Sequence, residues 1–110
     1  MNDQPQIINV IRDFSAVPAG RTKQDGPNSG ARFRDELLYP ALKAGGIVTV
    51  ELDGPEGYGS SFLEEAFGGL VRRGFQVDEL LKRLRIVSSI DPSLEDEIRE
   101  YIVDAAKERR

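Results

Sequence analysis

The run Ile47-Val48-Thr49-Val50-Glu51-Leu52-Asp53, followed by a glycine-bearing loop and then a helical apolar stripe, constrains this chain more than any other segment. Apolar and β-branched residues in unbroken succession suit a central strand with cover on both faces. Gly54-Pro55-Glu56-Gly57-Tyr58-Gly59 reads as a connection, and a helix begins at Ser60 or Ser61. Within it Phe62, Leu63, Ala66, Phe67, Leu70 and Val71 recur at intervals of one, three and four, a broad stripe that has to be buried.

The remaining segments repeat the alternation. Residues 7–14 are rich in β-branched side chains and read as a first strand. Residues 17–30 carry Pro18, Gly20, Gly26, Pro27 and Gly30, which predict a long loop. From Ser29 the pattern turns helical, with Phe33, Leu37, Leu38 and Leu42 near one face, Gly45-Gly46 as the stop and a kink or break expected at Pro40. Residues 77–84 read as a short amphipathic helix and residues 86–90 as a short strand. The last helix is capped by Asp91, with Pro92 at its first position and Leu94, Ile98, Tyr101, Ile102 and Ala105 as its stripe. Lys107, Arg109 and Arg110 suit the negative end of its dipole. The expectation is an α/β fold: one domain over residues 1–110, a small mixed sheet with helices packed against it, and frayed ends at 1–6 and 107–110.

Composition narrows the chemistry. The chain has no cysteine, which removes disulfides and thiolate nucleophiles, and no histidine, which removes the commonest general base and zinc ligand. An enzyme is therefore not expected, nor a cofactor or metal. A net charge of -4 argues against nonspecific nucleic-acid binding. There is no apolar run near the ~18 residues of a membrane span, and MNDQPQIINVIRDF lacks the basic start and apolar core of a secretory signal. The cytoplasm is the expected compartment.

Ser60 and Ser61 stand at the carboxyl end of the central strand, the edge where open α/β sheets bind ligands. Ser61-Phe62-Leu63-Glu64 matches a capping box. Ser60, one residue earlier and next to Gly59, is free of that duty, and a phosphate there would sit by a helix N-terminus that tolerates it. A nucleophilic serine would lack a base, with no histidine and no lysine nearby in sequence. Gly68 and Gly69 fall on the helical wheel beside Glu64, Glu65, Arg72 and Arg73. That grouping fits either close packing within the chain or, with Gly59, a flat surface for a partner.

The loop before the first helix offers a second candidate. Arg21, Lys23, Ser29 and Gly30 would cradle an anion, or the glycines serve only to turn a surface loop; the sequence lacks the G-K-[ST] ending of a Walker A motif. Arg32 and Arg34 either extend that patch or face solvent. Glu64-Glu65 and Glu95-Asp96-Glu97 fall in first helical turns, where the dipole favours carboxylates, so metal or acid–base work is not expected of them.

Strand IVTVELDG, a short loop and GSSFLEEAFGGLVRRG together resemble the second half of a STAS domain, the fold of anti-sigma factor antagonists. More closely, G-R…G-P-x-S-G…F-R followed by G-S-S-F-L-E-E-A-F-G-G-L is similar to the STAS-like family DUF4325, over roughly residues 14–90. The resemblance implies a noncatalytic interaction module whose partner is an anti-sigma-type kinase or ATPase, or another signalling protein. It also implies a phosphoacceptor at Ser60, because STAS antagonists are phosphorylated on the first serine of an Asp-Ser-Ser-Gly motif. This chain departs from that motif with Gly59 before the serines and Phe62 after them. The alternative expectation is a module binding a nucleotide or another anion between the Arg21 loop and the Ser60 helix start.

Overall fold

The structure, a computed structural model, describes residues 4–108. Three strands, β1 (Gln6–Asn9), β2 (Val48–Glu51) and β3 (Leu84–Val87), lie in the order β1-β2-β3, and both pairings are parallel. The α/β class is as expected. The sheet is parallel throughout its described strands rather than mixed, because every connection carries a helical crossover, and such connections join parallel strands.

The first strand is shorter than its composition predicts. The Asn9 side chain accepts the Arg12 amide at 3.0 Å and turns the chain into the single helical turn α1 (Val10–Asp13). After a loop with a 3₁₀ turn at Lys23–Asp25, helix α2 covers residues 30–44. Ser29 opens it, its hydroxyl accepting the Arg32 amide at 3.2 Å. The kink or break expected at Pro40 is replaced by a π turn: α2 is α-helical over Gly30–Phe33, widens at Arg34–Leu38, and is α-helical again over Tyr39–Ala44. The Tyr39 amide reaches back five residues to the Arg34 carbonyl, and this wider turn gives the proline ring room that a tight turn denies it.

Helix α3, residues 60–72, is built the same way: Ser60–Leu63, a π turn at Glu64–Gly68, then Gly69–Arg72. Its predicted stripe is fully inside, with Phe62, Leu63, Ala66, Phe67, Leu70 and Val71 at most 2% exposed. Phe14, Phe33, Phe62 and Phe67 stack into one cluster between α2, α3 and the loop after α1, with ring centroids 5.1 to 6.4 Å apart. Such pairs add about 0.5–1.5 kcal/mol each beyond burial.

Helix α4 (Val77–Arg83) leads into β3, which begins two residues earlier than expected and stops at Val87. Asp53 ends it: the carboxylate accepts the Ser88 hydroxyl at 2.8 Å, the Ser89 amide at 2.8 Å and the Ile90 amide at 3.2 Å, lifting this segment off the sheet. Asp91 caps the entry to the last helix by accepting the Ser93 amide at 3.2 Å, and α5 (Leu94–Glu108) packs against α3. Of the ends expected to fray, residues 1–3 and 109–110 lie outside the described residues, whereas Gln6 already pairs in β1 and Lys107 and Glu108 are still helical. Among the described residues no helix is long and apolar enough to cross a membrane.

The helices cover one face of the sheet. Val48 and Val50 of β2 are buried while Thr49 and Glu51 are not, which corrects the expectation of a central strand covered on both sides.

Candidate functional site

At the carboxyl edge of β2 the chain is pinned before it turns. The Tyr58 hydroxyl donates to the Leu52 carbonyl at 2.6 Å, and its ring lies 5.9 Å from that of Phe62. Burial, with some help from the Asp53 charge, holds the Tyr58 phenol well above its ordinary pKa, so it remains a donor. The loop thus delivers Gly59 as the N-cap of α3, in extended backbone at φ -74° and ψ 150°, with Ser60 and Ser61 as the first two helical residues.

This placement overturns the capping box. Ser61 lies inside the helix, two residues past the cap position held by Gly59, and Glu64 is held by arginines instead of reaching back. Both serines are exposed, and neither hydroxyl has a hydrogen-bond partner among the described residues.

One turn further on, α3 is locked. Arg21, from the loop before α2, approaches Glu64 at 2.6 Å and Glu65 at 3.1 Å. Arg72 forks onto both oxygens of Glu64 at 2.9 and 3.0 Å and lies 3.5 Å from Glu65. These cations hold the Glu64 carboxyl below its ordinary range, the hydrogen bond from Arg72 contributing most. Arg34 of α2, only 5% exposed, donates to the Glu65 carboxylate at 2.6 Å, to the Glu65 carbonyl at 3.1 Å and to Asp35 at 2.9 Å. Arg73 closes the ring on Asp35 at 3.2 Å.

The partner surface expected on α3 is therefore much reduced. Gly68 and Gly69 are buried: a Cβ on Gly68 would come within 2.5 Å of the Glu64 carboxylate and 3.3 Å of the Tyr101 carbonyl, and one on Gly69 would strike the Arg34 guanidinium. They are packing glycines. Glu64 and Glu65 are half-buried counter-ions, Arg72 and Arg73 are exposed but paired, and Gly59 remains open.

The anion cradle is not assembled either. Ser29 is fully buried as the cap of α2, Gly30 is packed against the backbone of Phe62, and Arg21 is paired. Lys23 is exposed and stands apart from them in its 3₁₀ turn. The sequence leaves Arg34 open between an anion patch and solvent, whereas the structure makes it the buried hub. Its signal was its spacing, since Arg34, Leu38 and Leu42 fall four apart in one buried row.

What the carboxyl edge does offer is a groove of about 530 Å³ between the segment after α1 and the loop after β2. It is lined by Ala16, Val17, Pro18 and Ala19 on one side and Gly54, Glu56 and Gly57 on the other. It lies at the edge where open α/β sheets receive ligands, and α3 begins three residues after Gly57.

No curated protein and no solved structure matches the chain. A family model described as a STAS-like domain of unknown function (DUF4325) matches residues 29–94. That segment takes in α2, β2, the serine pair at the head of α3 and β3, well over half of the chain; the protein belongs to the DUF4325 family of STAS-like domains.

Proposed function

We propose that this STAS-like domain is a noncatalytic regulatory module that meets a protein partner at its carboxyl edge and is switched by phosphorylation of Ser60 by a kinase or ATPase of the anti-sigma type. The observation that carries the reading is the state of the two serines: exposed, unbonded within the described residues, and at the head of a helix whose following turns are buried or ion-paired. Ser60 is the first helical residue, so a phosphate on it would add about 1.5–2 negative charges beside unpaired helix amides. Residues four apart share a helix face, which puts Ser60 one turn ahead of Glu64 and the arginines bound to it. The absence of histidine and cysteine supports a binding role over a catalytic one. The small-molecule reading is weakened by the burial of Ser29 and Gly30 and the pairing of Arg21.

The test is intact-mass spectrometry of the protein purified from its own host under several growth conditions, with peptide mapping of any shift. A single phosphate on Ser60 is the expected result. Phosphate on Ser61 instead would move the switch, and a protein unmodified under every condition would refute it.

A further inference from the structure

Ile8, Val48, Val50 and Leu84 lie beneath the helices, while Ile7, Thr49, Glu51, Arg85 and Val87 alternate with them on the opposite, uncovered face. Strand register places Ile7, Thr49 and Arg85 in one row and Asn9, Glu51 and Val87 in the next. Ile7 is 57% exposed and Val87 42%. Parallel sheets occur almost exclusively with both faces covered, so a bare apolar-edged face on an all-parallel sheet calls for an occupant.

The charges on this face identify one. Among the described residues the Arg85 side chain has no hydrogen-bond or ion-pair partner, and the Glu51 carboxylate accepts only the Asn9 side-chain amide, at 3.1 Å. Glu51 and Arg85 sit diagonally on neighbouring strands without forming a bridge to each other. One acid and one base arranged in this way are self-complementary: a two-fold axis lying in the face, perpendicular to their diagonal, sets each Glu51 over the Arg85 of a second copy.

We propose that the uncovered sheet face is the interface of a symmetric homodimer, closed by two reciprocal Glu51–Arg85 pairs around an apolar centre. With strands about 4.8 Å apart and a rise of about 3.3 Å per residue, that axis passes within about 2 Å of the positions of Ile7, Thr49 and Val87. Each of these residues then meets its own counterpart, so the two isoleucines and two valines are buried on the axis, with the charge pairs on either side. The same axis crosses the two sheets steeply, in the orthogonal class of sheet packing. A three-strand face is small beside the roughly 800 Å² per partner of a standard interface, so the dimer is expected to form at micromolar rather than nanomolar concentration.

Sedimentation equilibrium over a concentration range from about 10 μM to 1 mM tests this, a span chosen for the weak association just argued. The wild-type chain is expected to pass from monomer to dimer. Glu51→Arg and Arg85→Glu are each expected to weaken association at least tenfold, and the double swap to restore it. In parallel, methyl resonances of Ile7 and Val87 are expected to shift with concentration, a readout that needs no variant. A wild-type chain that stays monomeric throughout, whether the face is bare or covered in the cell by a different protein, overturns the proposal. So does a dimer indifferent to both charge reversals, or concentration-dependent shifts confined to other methyls.

Discussion

Gly30 marks the closest approach of α2 to α3. A Cβ there would strike the carbonyl oxygen of Phe62 and come within 3.2 Å of the Ala66 amide, and because both are backbone atoms no side-chain rotation relieves the clash. Gly30→Ala is expected to destabilise the fold by about 1–3 kcal/mol, the usual cost of overpacking. Gly57→Ala, with no atom within 4 Å of the added carbon, is expected to be neutral or slightly stabilising. Urea denaturation of the two variants measures the difference, and equal midpoints would mean that the helices can separate at little cost. The sequence showed Gly30 only as part of a glycine-rich loop. What makes it necessary is a contact with a residue 32 positions away, which local pattern cannot reveal.

Among the helices, apolar stripes were legible and their pitch was not. In α3 the residues run as pairs: Phe62-Leu63, Glu64-Glu65, Ala66-Phe67, Gly68-Gly69, Leu70-Val71, Arg72-Arg73. That is a period of four, and on an ideal α-helix each four-residue step drifts by about 40°. The π turn at Glu64–Gly68 takes up part of the drift, keeping the apolar pairs inward and the acid, glycine and arginine pairs together along one side. A period of 3.6 finds the stripe and misses this alignment, so the glycines looked available to a partner when they serve the packing against Arg34 and Tyr101. Arg34 holds the two π turns together. Burial lowers its pKa, and the hydrogen bonds it donates to Asp35 and Glu65 more than offset that. Arg34→Met is expected to cost about 2 kcal/mol, the scale of a lost charged hydrogen-bond set. Arg34→Lys should recover less than half of it, because one ammonium cannot reproduce the guanidinium fork to Glu65 and Asp35. Full recovery by lysine in a denaturation series would show that charge alone matters there.

At the level of the whole molecule, several carboxylates tie segments distant in sequence, and their titration sets the acid limit of stability. Asp53 is held below the ordinary aspartate range, first by the Ser89 amide and then by the Ser88 hydroxyl, and Glu64 is lowered by Arg72 and Arg21. A folded-state pKa below the unfolded one stabilises the native state above the unfolded value, near 4, and that contribution is lost as pH falls through it towards the folded one. Wild type is therefore expected to lose stability between about pH 5 and pH 3, and its advantage over Asp53→Asn to shrink across that window; an advantage constant with pH would remove the Asp53 clasp from the account. The order of strands and helices was readable from composition, but the one-sided sheet was not, since a β-branched run looks the same whether one face is covered or two. The parallel sheet also sets an order in time. Among the described residues β1 has no partner in its own neighbourhood, and Asn9 faces Glu51, 42 residues later. A growing chain must therefore carry its first strand unpaired until β2 has emerged from the ribosome. β2 in turn waits for β3 beyond α3 and α4, so the search for native pairing begins late and is slow for a chain of this length.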